Sequence, residues 1–151
     1  MKTIILASKQ IILIDDEDFP AINQFKWYAV KINNIYYALR RDGLSMHRFL
    51  LPTINYIDHK DGNGLNNRRD NLRPCTNSQN LANTKPQEGR ASKYKGVSFC
   101  KSRPNSPWRA WICVNYKRMY LGSFLTEQEA ALHYNIAADH YFGEFAYLNN
   151  F

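Results

Sequence analysis

The sequence has few cysteines and no long apolar run, and each shortage excludes a class of protein. The three cysteines, Cys75, Cys100 and Cys113, fall singly without a CxxC pair, which excludes a structural zinc knuckle and a disulfide framework. Nothing approaches the roughly 18 apolar residues of a membrane-spanning helix, and polar residues follow the apolar start of the chain at once. We therefore expect no membrane span, no signal peptide and an intracellular, reducing location.

Acidic residues are also fewer than basic ones, and the difference is concentrated in one part of the chain. The chain holds 13 acids against 20 lysines and arginines, a formal net charge of +7. Between Lys85 and Leu125 nine basic residues face one acid, Glu88, so the excess charge lies in the second half. Such a balance suits a polyanionic partner, nucleic acid or, on charge alone, an anionic membrane.

The apolar pattern predicts an α+β fold that opens with a small antiparallel sheet. Apolar runs at 3–7 and 10–14 predict one hairpin, and two runs around the Asn-Asn pair at 33–34 predict another. From Ile54 to Thr84 the character changes, because Asp, Asn, Gly and Arg dominate and no long apolar periodicity remains. Such a stretch is either a disordered loop or a site.

Two local signals favour a site in this stretch. Ile54 to Ile57 can form a strand that leads into the loop. Thr76 and Gln79 have the spacing of a capping box, which predicts a helix with Asn80 in its first turn. The region is therefore predicted as strand, loop and helix.

A polar segment at 85–91, with Pro and Gly, is predicted to be a linker to a second domain. Beyond it three short strands are predicted, at 96–100, 109–114 and 119–124. A second capping box, Thr126 and Glu129, predicts a helix that ends at Gly143. Its stripe of small apolar residues and tyrosines, which includes Tyr141, implies close packing on a sheet.

Four short motifs stand in order along the first half of the chain. They are MetHisArg at 46–48, AspHis at 58–59, AspAsnLeuArg at 70–73 and GlnAsn at 79–80. In order and spacing they resemble the HNH homing endonucleases of phages and mobile introns. The resemblance implies a ββα-metal motif over 47–83 within a nuclease domain of residues 1–84.

The residue types suit phosphodiester hydrolysis, which needs a deprotonated water and a cation on the scissile phosphate. His59, with an ordinary pKa near 6.5, suits a general base at neutral pH. Asp58 and Asn80 offer oxygen ligands, which suit one Mg²⁺ or Mn²⁺ ion, and the resemblance assigns them to the metal. It also assigns Asn71 to bracing the loop that fixes the His59 ring, whereas composition alone does not rank Asn71 above its neighbours Asn66 and Asn67.

His47 and Arg48 are expected to support this site. Members of the resembled family keep a histidine at the position of His47 in a scaffold element ahead of the site. We therefore expect His47 to be structural or to face phosphate rather than to be catalytic. Arg48 is expected to assist in the same way.

The second half resembles the ethylene-response-factor (Apetala-type) DNA-binding domain over residues 92–151. The resemblance rests on TyrLysGlyValSerPhe at 94–99, TrpArgAlaTrpIle at 108–112, LysArgMetTyrLeuGlySerPhe at 117–124 and the alanine-rich helix. It implies a three-stranded antiparallel sheet that lies in the major groove and is backed by one helix. Ser98, Trp111 and Cys113 stand where plant members often carry charged contacts, so base preference does not transfer.

Alternation along the strands supports the same arrangement. Ala110 and Ile112 fall on one face of their strand, whereas Arg109, Trp111 and Cys113 fall on the other. Guanidinium and aromatic groups suit a surface that reads DNA. The residues expected to contact DNA are Lys95, Ser98, Arg103, Arg109, Trp111, Lys117, Arg118 and Tyr120.

The sequence therefore predicts a sequence-directed, metal-dependent endonuclease that cuts double-stranded DNA. The resemblance implies a homing endonuclease of a phage or other mobile element, acting in a bacterial or phage-infected cell. A monomer is expected and a dimer stays open; no membrane and no small-molecule substrate is expected. A DNA-binding regulator with an inactive nuclease site is the main alternative. A basic RNA-binding protein fits the charge but does not explain Asp58, His59 and Asn80.

Overall fold

Small antiparallel sheets and short helices build the chain, which confirms the predicted α+β class. The structure is a computed structural model that describes residues 1–151. They form two compact units, Met1–Thr76 and Asn77–Phe151, which are described separately below. Every helix is too short or too polar to cross a lipid bilayer.

The first unit opens with the two predicted hairpins. Strands β1 (Lys2–Ile5) and β2 (Ile11–Ile14) pair antiparallel, as do β3 (Tyr28–Ile32) and β4 (Ile35–Leu39). Asn33 and Asn34 both have positive φ in the second turn, a conformation that asparagine tolerates better than most residues. Two short helices follow the hairpins in turn: α1 (Phe19–Ile22) and α2 (Met46–Leu50).

A single apolar cluster holds this unit together. Its most deeply buried members are Ile12, Ile14, Ile22 and Met46, none of which exposes any side-chain surface. They come from β2, α1 and α2, so the cluster ties the first hairpin to both helices. Fully burying such a side chain stabilises the fold by about 1.5–3 kcal/mol.

The predicted strand at 54–57 lies three residues too early. The observed strand β5 is Ile57–His59, and it pairs with β6 (Leu72–Pro74), which the local apolar pattern does not predict. The unpredicted strand is only three residues long and ends in proline, so it leaves no alternating pattern to detect. The loop between the two strands spans residues 60–71.

The second unit contains the predicted three-stranded sheet and helix. Strand β8 (Trp108–Val114) lies between β7 (Val97–Phe99) and β9 (Lys117–Phe124), antiparallel to both. Helix α4 (Glu127–Phe142) packs on this sheet, and a 3₁₀ turn (Gly143–Phe145) follows it. Both hydrogen bonds of the predicted capping box are present, Thr126 Oγ1 accepting from Glu129 N and Glu129 Oε2 accepting from Thr126 N.

Small residues allow the helix and the sheet to approach closely. Ala110, Ala130, Ala131 and Ala138 are completely buried between them. Gly96 has a φ of +77°, and a Cβ there would collide with the Tyr134 ring. The prediction that Tyr141 joins the packed stripe is wrong, because this tyrosine is 47% exposed on the outer side of the helix.

Helix α3 (Asn77–Ala82) belongs to the second unit, although the sequence analysis grouped it with residues 1–84. The Lys95 ammonium donates to the carbonyls of Leu81 at 3.0 Å, Ala82 at 2.6 Å and Thr84 at 2.7 Å. These carbonyls lie at the end of α3, where no backbone N–H of the helix is left to donate to them. Lys95 therefore closes the helix, and burial lowers its pKa to about 8.

This contact makes a testable prediction about stability. Lys95→Met keeps much of the apolar stem but leaves the carbonyls without their donor, at a cost of about 1–3 kcal/mol. We expect a loss of that size in the free energy of unfolding of the whole chain in urea, and faster amide hydrogen exchange over residues 78–84. Lys101→Met, at an exposed lysine, is the control and should change neither; equal stability of both variants would contradict the capping role.

Candidate functional site

The AspHis motif lies in the β5–β6 hairpin. Its register sets Asp58 opposite Arg73 and His59 opposite Leu72. All three residues of β5 are buried, so neighbouring groups cover both faces of this short strand. The predicted pair Asp58 and His59 is thus held by regular backbone pairing rather than by the loop.

Asp58 and Arg73 form an ion pair inside the unit. Arg73 Nε lies 2.9 Å and its terminal nitrogen 2.7 Å from Asp58 Oδ2. The two residues are 4% and 7% exposed. Burying either charge alone would be costly, so each compensates for the burial of the other.

His59 lies in a pocket of rings and amides. Its Nε2 is 3.4 Å from Asn67 Oδ1, and its ring centre is 5.1 Å from His47 and 5.9 Å from Tyr37. Burial lowers the pKa of His59, although the hydrogen bond to Asn67 and the charges of Asp61 and Asp58 partly oppose the shift. Burial therefore favours the neutral form of the imidazole, which is the form that can accept a proton.

His47 stands edge-on to His59 at the start of α2. Its Nε2 is 3.0 Å from the hydroxyl of Ser45. Burial, with smaller effects of His59 and Arg48, lowers the pKa of His47 to about 4. Two neutral rings can pack at this distance without repulsion. The neighbouring Arg48 donates to the backbone carbonyl of Asn55 at 3.2 Å.

Asn71 lies at the far end of the loop and bonds back across it. Its Oδ1 accepts from the backbone N–H of Asp61 at 3.1 Å, and its Nδ2 donates to Asp61 Oδ1 at 3.0 Å and to the Asn66 carbonyl at 2.8 Å. Asp61 also accepts from Asn66 Nδ2 at 2.7 Å. The two ends of the loop are therefore linked by side chains close to His59.

The loop is also tied to the core of the first unit. The backbone N–H of Asn67 donates to the Leu13 carbonyl at 2.8 Å, and Leu13 N donates to the Leu65 carbonyl at 3.0 Å. Arg69 adds hydrogen bonds of 2.9 and 2.7 Å to the buried carboxylate of Asp18. A loop with so few apolar residues is thus held by strand β2 and by ion pairs.

Sequence reasoning missed four groups at this site: Tyr37, Asp61, Asn67 and Arg73. The motif AspAsnLeuArg contains Arg73, but its role follows only from the β5–β6 register. Asn67 could not be separated from Asn66, because what distinguishes it is a contact with residue 13. Asn80, the other predicted ligand, lies in α3 of the second unit.

The sheet of the second unit carries a cluster of aromatic and basic groups. The guanidinium of Arg118 lies 4.2 Å from the centre of the Trp111 ring, and Trp111 is 4.9 Å from Tyr120. The Tyr120 hydroxyl is 2.5 Å from that of Ser123. Arg118 and Trp111 thus form a cation–π pair, in which both groups expose surface.

The other residues predicted to contact DNA are placed differently. Ser98 lies opposite Arg109 in the register, and Arg109 bonds to the sulfur of Cys100. Arg103 and Lys117 are exposed. Lys95, which was expected to contact DNA, has its ammonium among the carbonyls that end α3.

Comparison with known proteins agrees with the resemblance of the four motifs between residues 46 and 80 to HNH endonucleases. The sequence model of the HNH endonuclease family matches residues 52–82, which include Asp58, His59, Asn71 and Asn80. An uncharacterized HNH endonuclease of Acanthamoeba polyphaga mimivirus is 32% identical over 139 residues, covering 86% of this chain and 70% of that protein. The chain belongs to the HNH endonuclease family.

Two further relatives match shorter parts of this HNH family member. Protein 3.8 of Escherichia phage T7 is 38% identical over 68 residues, 45% of this chain and 54% of that protein. An AP2/ERF and B3 domain-containing transcription repressor of Arabidopsis thaliana is 39% identical over 72 residues, 48% of this chain and 19% of the repressor. The plant match is a partial likeness that hints at an Apetala-type module.

HNH nucleases typically use a divalent metal ion. The donor atoms that the side chains of this HNH family member offer restrict the type of metal ion that could bind. No group of three or more His, Cys, Asp or Glu side chains is arranged to hold a metal ion. The residues matched to the HNH family include the carboxylate of Asp58 and several amide oxygens. Such hard oxygen donors suit a cation that keeps several water ligands.

Proposed function

We propose that this chain hydrolyses phosphodiester bonds of double-stranded DNA, with His59 as the general base and one divalent cation. The observation that carries the proposal is a buried imidazole, whose pKa is lowered by its burial, held next to a buried carboxylate in the span matched to the HNH family. The viral and phage origins of two relatives support an enzyme of a mobile element that acts on DNA inside a cell. Homing by sequence-directed cutting is the form that we favour.

In the proposed reaction His59 accepts a proton from the attacking water. Its lone pair takes a proton from a water molecule, and the water oxygen forms a bond to phosphorus as the bond to the 3′ oxygen breaks. The bonding electron pair leaves on that oxygen, which takes a proton from solvent, and His59 later returns its own proton to solvent. A neutral imidazole at pH 7 is required, and the burial of His59 favours it.

Asp58 and Asn80 are the side chains that would hold the cation, in our proposal Mg²⁺ or Mn²⁺. When bound, the ion would neutralise charge on the scissile phosphate. Arg73 donates two of its hydrogen bonds to Oδ2 of Asp58, and a carboxylate offers about four acceptor positions in all. Pairing with Arg73 is therefore compatible with a ligand role, and it keeps the carboxylate in place.

Three further residues have supporting roles in this proposal. Asn71 braces the loop through its bonds to Asp61 and Asn66, which limits movement of the strand that carries His59. His47 packs against the His59 ring and fixes its tilt, so its role is structural. Arg48, the neighbour of His47 in the chain, is proposed to contact phosphate.

The second unit is proposed to hold the duplex. The local excess of basic residues favours contact with the phosphate backbone, and the exposed cation–π pair of Arg118 and Trp111 suits a base-reading or backbone-facing surface. The proposed contacts are Ser98, Arg103, Arg109, Trp111, Lys117, Arg118 and Tyr120. A monomer with one metal site would nick one strand.

Cleavage of a supercoiled plasmid tests the nuclease proposal. With Mg²⁺ the protein should relax or linearise the plasmid, and excess chelator should stop it. His59→Ala should lower the single-turnover rate by about 10² to 10⁴, the usual cost of losing a positioned base, while duplex affinity stays nearly intact. His140→Ala, at an exposed histidine of α4, is the control and should cut normally.

Two results would each contradict the nuclease proposal. One is full activity in excess chelator, and the other is cleavage by His59→Ala at the wild-type rate. A protein that binds duplex but never cuts would be a DNA-binding regulator on the same scaffold. The plasmid assay thus separates the two functions directly.

Salt titration tests the proposed DNA-binding surface. Each neutralised phosphate contributes about −0.9 to the slope of log affinity against log salt. If Arg118 contacts phosphate, Arg118→Ala should flatten this slope by about one unit. If Arg118 instead contacts a base, the variant should lose about 1–3 kcal/mol of binding free energy, mainly on the preferred DNA site. Lys26→Ala, in the first unit, is the control, and wild-type binding by Arg118→Ala would place the surface elsewhere.

A further inference from the structure

The second unit contains a cleft of about 400 Å³. Residues of the segment 78–90 and of strands β7, β8 and β9 line it. Three of the lining side chains, Val97, Ile112 and Tyr134, are buried, so the inner part of the cleft is largely apolar. Binding sites for small organic ligands measure about 300–1,000 Å³ and have mostly apolar linings. The cleft is therefore large enough for one such ligand.

The charged side chains of this cleft all have the same sign. Lys85, Arg90, Lys95 and Arg118 line it, and no Asp or Glu does. Glu88, the acid of the same segment, is not among the lining residues. The Lys95 ammonium bonds to the carbonyls that end α3, whereas the other three cations are exposed. The entrance of the cleft should therefore attract an anionic ligand.

Aromatic side chains stand beside these cations. Trp111 is half-buried in the lining, and the guanidinium of Arg118 lies 4.2 Å from its ring centre. Tyr116 lines the cleft from the turn between β8 and β9, and its hydroxyl accepts from Asn77 Nδ2 at 2.7 Å. Rings and cations together suit a ligand that combines a flat aromatic base with a phosphate, because the base can stack and the phosphate can pair with a guanidinium.

Tyr116 has a backbone conformation that favours glycine. Asn115 and Tyr116 have φ values of +48° and +65° in the two-residue turn, and Tyr116 is 74% exposed. Both residues of such a turn need positive φ, which Asn-Gly adopts easily and a bulky residue adopts only at a cost. The geometry of the turn therefore does not account for a tyrosine here, whereas its place in the wall of the cleft does.

We propose that this cleft binds one unpaired nucleotide, with its base against Trp111 and Tyr116 and its phosphate among the exposed cations. A base can enter such a cleft only when it is outside a double helix. The cleft shares Ser98, Trp111 and Arg118 with the surface proposed to hold the duplex, so the two sites adjoin. The inference goes beyond the proposed cleavage and requires neither His59 nor a metal ion.

Alkylation of Cys113 by iodoacetamide reports on occupancy of the cleft without turnover. Cys113 is exposed and lines the cleft, whereas Cys100, in the loop after β7, does not line it. The full chain is labelled in excess chelator with a single-stranded thymidine tetranucleotide, and both cysteines are followed by peptide mass spectrometry. At about ten times the dissociation constant, labelling of Cys113 should slow about tenfold, because only the empty protein reacts, while Cys100 reacts as before. Equal slowing of both cysteines, or of neither, would overturn the proposal.

Two smaller ligands separate the possible sources of the nucleotide. Thymidine monophosphate carries one base and one phosphate, and inorganic phosphate carries no base. Protection of Cys113 by the monophosphate supports a site that also takes a free nucleotide, and protection by the tetranucleotide alone supports a site for a nucleotide within a DNA strand. Protection by inorganic phosphate as strong as by either nucleotide would contradict base stacking and overturn the proposal.

Tyr116→Gly separates ligand binding from stability. Glycine fits the turn, so the urea midpoint of unfolding should equal or exceed that of the wild-type chain. The midpoint of Cys113 protection should shift to a tetranucleotide concentration about 5- to 150-fold higher, the effect of losing one contact between a base and an aromatic ring. Tyr141→Ala, at an exposed tyrosine of α4 outside the cleft, is the matched control and should keep the wild-type midpoint of protection.

Lys85→Gln tests the contact with phosphate. Loss of one phosphate contact to a single strand should flatten the slope of log affinity against log salt by about 0.7. Wild-type affinity in both Tyr116→Gly and Lys85→Gln would overturn the proposal. If the nucleotide protects Cys113 as expected but the protein never cuts a plasmid, the proposed nuclease function fails while the nucleotide site stands.

Discussion

Two opposite charges lie buried side by side across the β5–β6 hairpin, the carboxylate of Asp58 and the guanidinium of Arg73. Removing one partner of such a pair typically costs about 3–5 kcal/mol, because the other is left buried and unpaired. A one-residue slip of the strands would separate them and turn every side chain to the other face. The pair thus fixes the register, and the register fixes where His59 stands.

The loop that the hairpin closes is held by polar contacts instead of an apolar core. Asn71 bonds to Asp61 across the loop, and Asn67 reaches both the Leu13 carbonyl and the His59 ring. Asparagine suits these roles because its amide donates and accepts at once without adding charge. The asparagine-rich composition of the segment therefore supplies the hydrogen bonds that hold a loop with little apolar content around the His59 ring.

Local signals in the sequence predicted local structure well. The capping box at Thr126 and Glu129 and the alternation along β8 depend only on neighbours in the chain, and both are observed. The roles of Arg73, Asn67 and Lys95 depend on partners between 8 and 54 residues away, or on a strand register that three-residue strands do not reveal in the sequence. The order of the HNH motifs indicated the family, whereas composition could not rank one asparagine above another.

The central proposal is that Asp58 and Asn80 of the HNH motif are ligands of a hard cation used in DNA cleavage. Paramagnetic broadening by Mn²⁺ in NMR spectra of the full chain tests the binding most directly. At the lowest Mn²⁺ concentrations the amide signals of Asp58 and Asn80 should broaden first, and Asp58→Asn should abolish the effect. Broadening confined to exposed carboxylates such as Asp16 or Asp42, with Asp58 and Asn80 unaffected, would contradict the claim.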